Sequence, residues 1–400
     1  MPAPLFAHVE LAPRDPILGL NEAFAADSRT DKVNLGVGVY YDENGKIPLL
    51  GAVAQAEAER LAARPPRGYL PIDGVPAYNQ GVQALLFGAD SALVREGRAV
   101  TVQALGGTGA LKIGADFLKR LKPEAKVLIS DPSWENHRAL FEAAGFPVST
   151  YPYFDAASRG VAFEAMRDFL ATQAAGTIVV LHACCHNPTG ADLTEAQWRE
   201  IVAVCERQGL VPFLDMAYQG FADGLFEDAV AVRLFAESGQ NVFISSSFSK
   251  SMSLYGERVG ALTLIANSRD ESARVLSQVK RVIRTNYSNP PTHGAAVVGA
   301  VLNTPALRQQ WETELATMRQ RIRTMREELV RKLASVGVST DFSFITRQRG
   351  MFSYTGLSAA QVERLKTEFG IYAVSTGRIC LAALNGKNID AVAKAIAAVL

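Results

Sequence analysis

The chain has 400 residues, 48% of them hydrophobic and 20% charged, enough apolar material for a large core and a length that suggests two domains. Its 41 basic residues nearly balance 40 acidic ones, so no general field draws it to nucleic acid or an anionic membrane, and small-molecule chemistry is expected. No stretch approaches the roughly 20 apolar residues that span a bilayer, and the opening "MPAPLFAHVELAPRDP" lacks the basic start and apolar core of a secretion signal, so a cytoplasmic location is expected.

From about Arg98 to Ala266 the runs "AVTVQAL", "KVLIS", "TIVVLHA", "VPFLD", "VFISS" and "GALTLIA" alternate with helical patterns. Strands alternating with helices predict an α/β fold with a mostly parallel sheet covered on both faces. The first run leads into "GGTGALKIGADFLKRL", where Gly106, Gly107, Thr108 and Gly109 form a tight turn opening an amphipathic helix. Backbone N–H groups and the helix dipole there suit an anion. The spacing G-x-G-x-x-G is absent, so a single phosphate fits better than a dinucleotide.

Further along, "HACCHNPTGADLT" places Asn187, Pro188 and Gly190 in a turn at a strand end; taken singly it is an ordinary turn, although Asn187 can offer an amide donor. The cysteines Cys184, Cys185, Cys205 and Cys380 have no zinc-site spacing and read as small buried residues, so no metal is expected. In "GLVPFLDMAYQGF" a buried strand ends on Asp215, with Tyr218 following. A carboxylate at such a mouth either caps the next turn or meets a cation, such as a protonated ring nitrogen. The stretch "SSSFSKSMSLYGERVG" then sets Lys250 among serines where a strand leaves the core, with Arg258 beyond it. Near Thr304 the pattern becomes one charged amphipathic helix of about 30 residues, longer than a globular domain usually needs, which is expected to cross between domains. We assign residues 46–305 to a large cofactor-binding domain, and 1–45 with 306–400 to a smaller α/β domain joined by that helix.

Taken together, a phosphate turn, an aspartate for a ring nitrogen, Asn187 and Tyr218 as donors to a phenolate, and a strand-end lysine are what pyridoxal 5'-phosphate requires. Lys250 would hold it as a Schiff base, with Ser247, Ser249 and Arg258 adding charge-assisted bonds to the phosphate.

The chain also resembles a known family, the class I aminotransferases of fold type I, in the subgroup acting on aspartate and aromatic amino acids and most like the bacterial aromatic-amino-acid enzymes. The resemblance covers essentially the whole chain and is carried by "VNLGVGVYYDENG", "GYLPIDG", "LGGTGAL", "DPSWENH", "CCHNPTGADLT", "FLDMAYQGF", "SFSKSMSLYGERVG", "IRTNYSNPPTHGA" and "GMFSYTGL". It implies a seven-stranded, mostly parallel sheet and catalysis by Lys250, Asp215 and Tyr218. It implies Arg378 as the grip on the substrate α-carboxylate, Trp134 as the ring that stacks on the cofactor, with Asn136 and His137 behind it, and Gly38 in the part that closes over substrate. Tyr69 and Arg284 resemble residues contributed across a homodimer interface, the first to the phosphate and the second to the substrate's distal group. Tyr41 and Ile47 depart from the aspartate-selective pattern, Gly68 fits neither pattern, and Val39, Thr108 and Asn289 follow the aspartate-selective one. The implied activity is transfer of the amino group of tyrosine, phenylalanine, tryptophan, aspartate or glutamate to 2-oxoglutarate or another 2-oxo acid; the alternative is an aspartate aminotransferase with minor aromatic activity.

Overall fold

The computed structural model describes residues 4–12, 15 and 17–400. Its central sheet has seven strands: β1 (Ala99–Leu105), β2 (Val127–Asp131), β3 (Val148–Pro152), β4 (Ile178–His182), β5 (Val211–Met216), β6 (Val242–Ser247) and β7 (Val259–Ile265). Their spatial order is β1-β7-β6-β5-β4-β2-β3. Strand β7 runs antiparallel to both neighbours, and the other pairs are parallel. Parallel strands need crossover connections, and the helices that make them cover both faces of the sheet. The strands are therefore apolar at nearly every position, with successive side chains feeding opposite sides. Phe213 of β5 packs with Phe117, Phe141, Phe243 and Leu262 on one face, whereas Leu214 packs with Val179, Leu181 and Ile244 on the other.

Six of these strands coincide with the apolar runs of the sequence. The seventh, β3, was not among them. It is a sheet edge in which only Tyr151 is buried, so it shows neither a continuous apolar run nor clean alternation. Its pairing with β2, from Val127 opposite Val148 to Asp131 opposite Pro152, makes it a strand.

The long helix spans Pro305–Ser335 and starts on a proline, where a missing N–H costs nothing. Trp311, Leu315, Met318, Ile322, Met325, Leu329 and Leu333 form its buried stripe at three- and four-residue spacing. Near its start, Trp311 Nε1 donates to the Ser251 carbonyl at 2.7 Å, one residue beyond Lys250. Glu314 accepts the N–H groups of Gly51 and Ala52 at 2.6 and 3.2 Å, capping the helix Gly51–Ala63. Farther along, the turn Phe344–Arg347 and the helix Ile389–Val399 pack on it. Beside them lie two small ladders, Phe352–Tyr354 antiparallel to Arg378–Cys380 and Val33–Asn34 parallel to Ile371–Tyr372. All four cysteines are buried and free of disulfides.

Trp311 is fully buried and bonded to the segment beside Lys250. Trp311→Ala should therefore lower the free energy of unfolding by about 3–5 kcal/mol, read as a lower urea midpoint. Trp311→Phe, which keeps most of the ring and strands one carbonyl, should cost about 1–3 kcal/mol. Equal midpoints for the parent and Trp311→Ala would contradict this packing.

Candidate active site

The carboxyl ends of β1, β4, β5 and β6 and the amino end of the reversed strand β7 share one edge of the sheet. Register sets Asp215 between His182 and Ser245, and Gly260 between Ser247 and Ala104. Open sheets of this type bind ligands at that edge. A cavity of about 250 Å³ opens there, with Lys250, Asp215, Tyr218, Asn187, Arg258 and Arg378 in its wall.

The anion end is built at the start of the helix Gly106–Leu121, which follows β1 directly and has no side-chain cap. Its first N–H groups thus have no intrahelical partners and sit at the positive end of the dipole. Gly107 and Thr108 line the cavity, and Gly106 lies just behind them, its N–H donating to the Arg258 carbonyl at 2.9 Å. Gly106 has φ +69°, and a Cβ there would come within 2.5 Å of Arg258 Nη2. Glycine keeps this cradle open. Arg258 donates from Nη1 to Ser249 Oγ at 3.2 Å, and Ser247 Oγ accepts the Ser249 N–H at 3.3 Å. Both serines line the cavity.

Lys250 Nζ lies 5.0 Å from the centre of the Tyr218 ring. Burial pulls its amine down to about 8; Asp215 opposes the fall while Arg258 and Arg378 add to it. Burial alone would raise the Asp215 acid, but the His137 Nε2 bond at 2.9 Å and the charges around it hold the carboxyl below its ordinary value. His137 in turn pairs through Nδ1 with Ser133 Oγ at 2.9 Å. Asp215 thus bonds across to His137 instead of capping the turn after its strand, and among the described residues only its Oδ2 is engaged. Burial pushes the Tyr218 phenol up, with Arg378 opposing, so it stays protonated. Trp134 lines the cavity with its ring edge-on to His137, centroids 5.2 Å apart.

At the other end Arg378 is 1% exposed. Its Nη1 donates to Asn187 Oδ1 at 3.0 Å and Nη2 to the Gly36 carbonyl at 2.6 Å, while Nε is buried without a partner among the described residues. The guanidinium stands 4.4 Å from the centre of the Phe352 ring. Gly38 backs onto that ring so closely that a Cβ would lie 2.6 Å from Cζ. A buried guanidinium with an unpaired N–H and no carboxylate partner among the described residues is set to receive an anion.

Among the cavity residues that sequence reasoning did not single out are the polar and aromatic side chains of His182, Tyr255 and Phe352. His182 ends β4, and neither of its buried ring nitrogens has a partner among the described residues. Burial, reinforced by His137, pulls it down to about 3, so it is neutral. Its signal was a polar residue closing an apolar strand. Tyr255 accepts the Tyr40 N–H at 2.9 Å, and Phe352 underlies Arg378; an aromatic residue in a loop, or on a three-residue strand, gives no comparable signal. Two expected residues stand apart from the cavity. Tyr69 is 97% exposed, and Arg284, also exposed, bonds the Ser288 hydroxyl. The segments that carry them meet where Asn289 Nδ2 donates to the Leu70 carbonyl at 3.1 Å.

The open cradle at Gly106, the carboxylate with a spare oxygen and the depressed lysine amine fit pyridoxal phosphate, and the unpaired Arg378 Nε fits a substrate carboxylate beside it.

Residues 30–396 match the family model described as aminotransferase class I and II. The aspartate aminotransferase of Pseudomonas aeruginosa is 68% identical over 99% of this chain and its own full length. The aromatic-amino-acid aminotransferase of Escherichia coli is 52% identical, again over 99% of this chain and all of its own. Among solved structures, an aromatic-amino-acid aminotransferase from Burkholderia pseudomallei, covalently bound to pyridoxal phosphate, superposes with a TM-score of 0.97 at 68% identity, covering 99% of this chain and 100% of that one.

The Lys250 amine falls from an ordinary 10.5 to about 8, so the unfolded chain binds the extra proton between those values and stability rises with pH across that window. Below pH 8 the penalty is complete, worth about 3 kcal/mol at about 1.4 kcal/mol per unit. Cofactor-free Lys250→Met should accordingly be more stable than the parent by about that amount at pH 7, and the gap should close by pH 10.5. A gap that stays constant with pH would show that the amine is not depressed.

Proposed function

The chain belongs to the class I and II aminotransferases, and from that premise we propose that it carries the amino group of aromatic amino acids, and of aspartate and glutamate, to 2-oxoglutarate or another 2-oxo acid. It is a pyridoxal-phosphate enzyme. The observation that carries the proposal is the pairing, in one cavity, of the Lys250 amine with the buried, carboxylate-free Arg378. An amino acid needs both, one group at its α-carbon and one at its carboxylate.

Bound in this cavity, pyridoxal phosphate supplies a sink for the electron pair left when the substrate α-C–H bond breaks. The turn at Gly106, Gly107 and Thr108 would take the phosphate together with Ser247, Ser249 and Arg258. Trp134 would pack on the ring, and Asn187 and Tyr218 would offer donors to its phenolic oxygen. Asp215, kept ionised by His137, would keep the ring nitrogen protonated. Lys250 would hold the cofactor and serve as the base for the substrate α-proton and as its carrier; an amine pulled down to about 8 is partly neutral near physiological pH, as a general base should be. Arg378 would fix the α-carboxylate and so orient the substrate. The two substrates use the same groups in turn, a ping-pong scheme.

The working unit is proposed to be a cytoplasmic homodimer with shared sites. Tyr69 and Arg284 are both exposed, as are Leu5, Phe6, Val9 and Leu11 along the N-terminal segment, which supports a second subunit covering them. Arg284 would meet the distal carboxylate of aspartate or glutamate. For an aromatic donor it would swing away, leaving apolar surface such as Tyr41 and Ile47 to cover the ring. No helix of the described residues is long and apolar enough to cross a membrane.

Lys250→Ala should lower turnover by at least about 10²–10⁴-fold while the protein still takes up pyridoxal phosphate, because its phosphate groups are untouched. Retained turnover would overturn the assignment of the base. Arg284→Leu should lower kcat/KM for aspartate by about 10²–10³-fold, as expected for a broken charge pair, and for phenylalanine by less than about tenfold. Both donors are measured in the first half-reaction, so that 2-oxoglutarate does not itself need Arg284. Equal losses would make Arg284 structural, and a parent inert toward phenylalanine would leave the aspartate reading.

A further inference from the structure

Arg326 interrupts the apolar stripe of the long helix, directly after Met325 and three residues before Leu329. It is 2% exposed, and its guanidinium reaches only carbonyl oxygens: Nη1 donates to Ile345 at 2.9 Å, and Nη2 to Gly350 at 2.8 Å and Phe352 at 2.7 Å. It has no salt-bridge partner among the described residues, and burial pulls even this group down to about 10. An apolar side chain would fill that stripe without burying a charge. What the charge provides is a planar fork that gathers three carbonyls of one irregular segment.

That segment ends in the wall of the cavity. The Phe352 ring lies 4.4 Å from the Arg378 guanidinium and edge-on to Tyr218 at 5.9 Å. Its backbone is paired so that Tyr354 stands opposite Arg378 and Phe352 opposite Cys380. The Arg349 N–H donates to the Gly190 carbonyl at 2.7 Å, joining the segment to the turn that carries Asn187, the other partner of Arg378.

We infer that Arg326 is a positioning residue for carboxylate recognition: by tying the carbonyls of Ile345, Gly350 and Phe352 to the long helix, it sets the Phe352 ring and with it the Arg378 guanidinium where a substrate α-carboxylate docks. The inference rests on the carboxylate role proposed for Arg378. Arg326 touches neither Lys250 nor Asp215, so its loss acts on binding before chemistry.

The test uses the holoenzyme with Arg326→Lys, Arg326→Gln and, in parallel, Arg378→Lys. Calorimetric titration with 3-indolepropionate, a carboxylate with an aromatic ring and no amino group, reads the site without turnover. Arg326→Lys, which keeps some of the three bonds, should weaken binding about tenfold and Arg326→Gln further. KM for phenylalanine should rise in step while kcat changes less than about threefold. Arg326→Lys keeps the test open should Arg326→Gln fail to fold. If Arg378→Lys weakens 3-indolepropionate while both Arg326 variants bind it and phenylalanine like the parent, with only a lower thermal midpoint, the positioning role is overturned alone. If Arg378→Lys leaves the affinity unchanged, the carboxylate reading falls and this inference with it.

Discussion

Three cationic side chains, Lys250, Arg258 and Arg378, and one carboxylate, Asp215, face one cavity, with Arg378 and Asp215 buried, Lys250 half-buried and Arg258 exposed at its rim, and holding that excess of positive charge in one place is the constraint to which the surrounding structure answers. An unpaired charge at such a site is costly. Each cation is accordingly wired into the fold: Arg258 to Ser249 and the Tyr255 carbonyl, Arg378 to Asn187 and the Gly36 carbonyl. Lys250 responds differently, its amine giving up its proton more readily. The remaining imbalance is an affinity for anions, and a phosphate and a carboxylate would relieve it at opposite ends.

The polar groups at and behind the cavity wall are of two kinds. His186 is saturated, bonded to Ser130 at 2.9 Å and Thr189 at 2.8 Å and stacked on Tyr153 at 3.9 Å. It behaves as a fastener for the turn that carries Asn187. His182, between it and His137, is neutral and unbonded. A neutral ring at that point adds no further positive charge beside Asp215. Asp192 completes the turn by accepting the N–H groups of Cys185 and His186 at 2.7 and 2.8 Å, although it lies off the cavity wall.

Much of this was legible in the sequence because the sheet is buried on both faces, and strands of that kind appear as plain apolar runs whose last residues stand out when they are polar. Asp215 and the serines before Lys250 were visible for that reason, and His182 could have been. Strand β3 was not, since its pairing is a backbone matter at an exposed edge. Phe352 and Arg326 were invisible for another reason. Their importance lies in which carbonyl or guanidinium they meet far along the chain, and neither periodicity nor spacing records that. Tyr69 and Arg284 came only from resemblance, and within one chain they remain on the surface.

The reversal of β7 bears on the order in which the molecule can be completed. Strand β1 joins the sheet only through β7, so the helix beginning at Gly106 has no fixed place until the chain has been made as far as Ile265. Such a distant pairing is slow to close and gains nothing until it forms. The phosphate cradle, which needs Gly106 from one side of that pairing and Arg258 from the other, therefore exists only in chains whose sheet is finished. A nascent or partly unfolded polypeptide has nothing there to grip the cofactor, whereas a finished one gains stability from it by mass action. Cofactor supply in the cell would in this way favour finished molecules over immature ones without any separate inspection step.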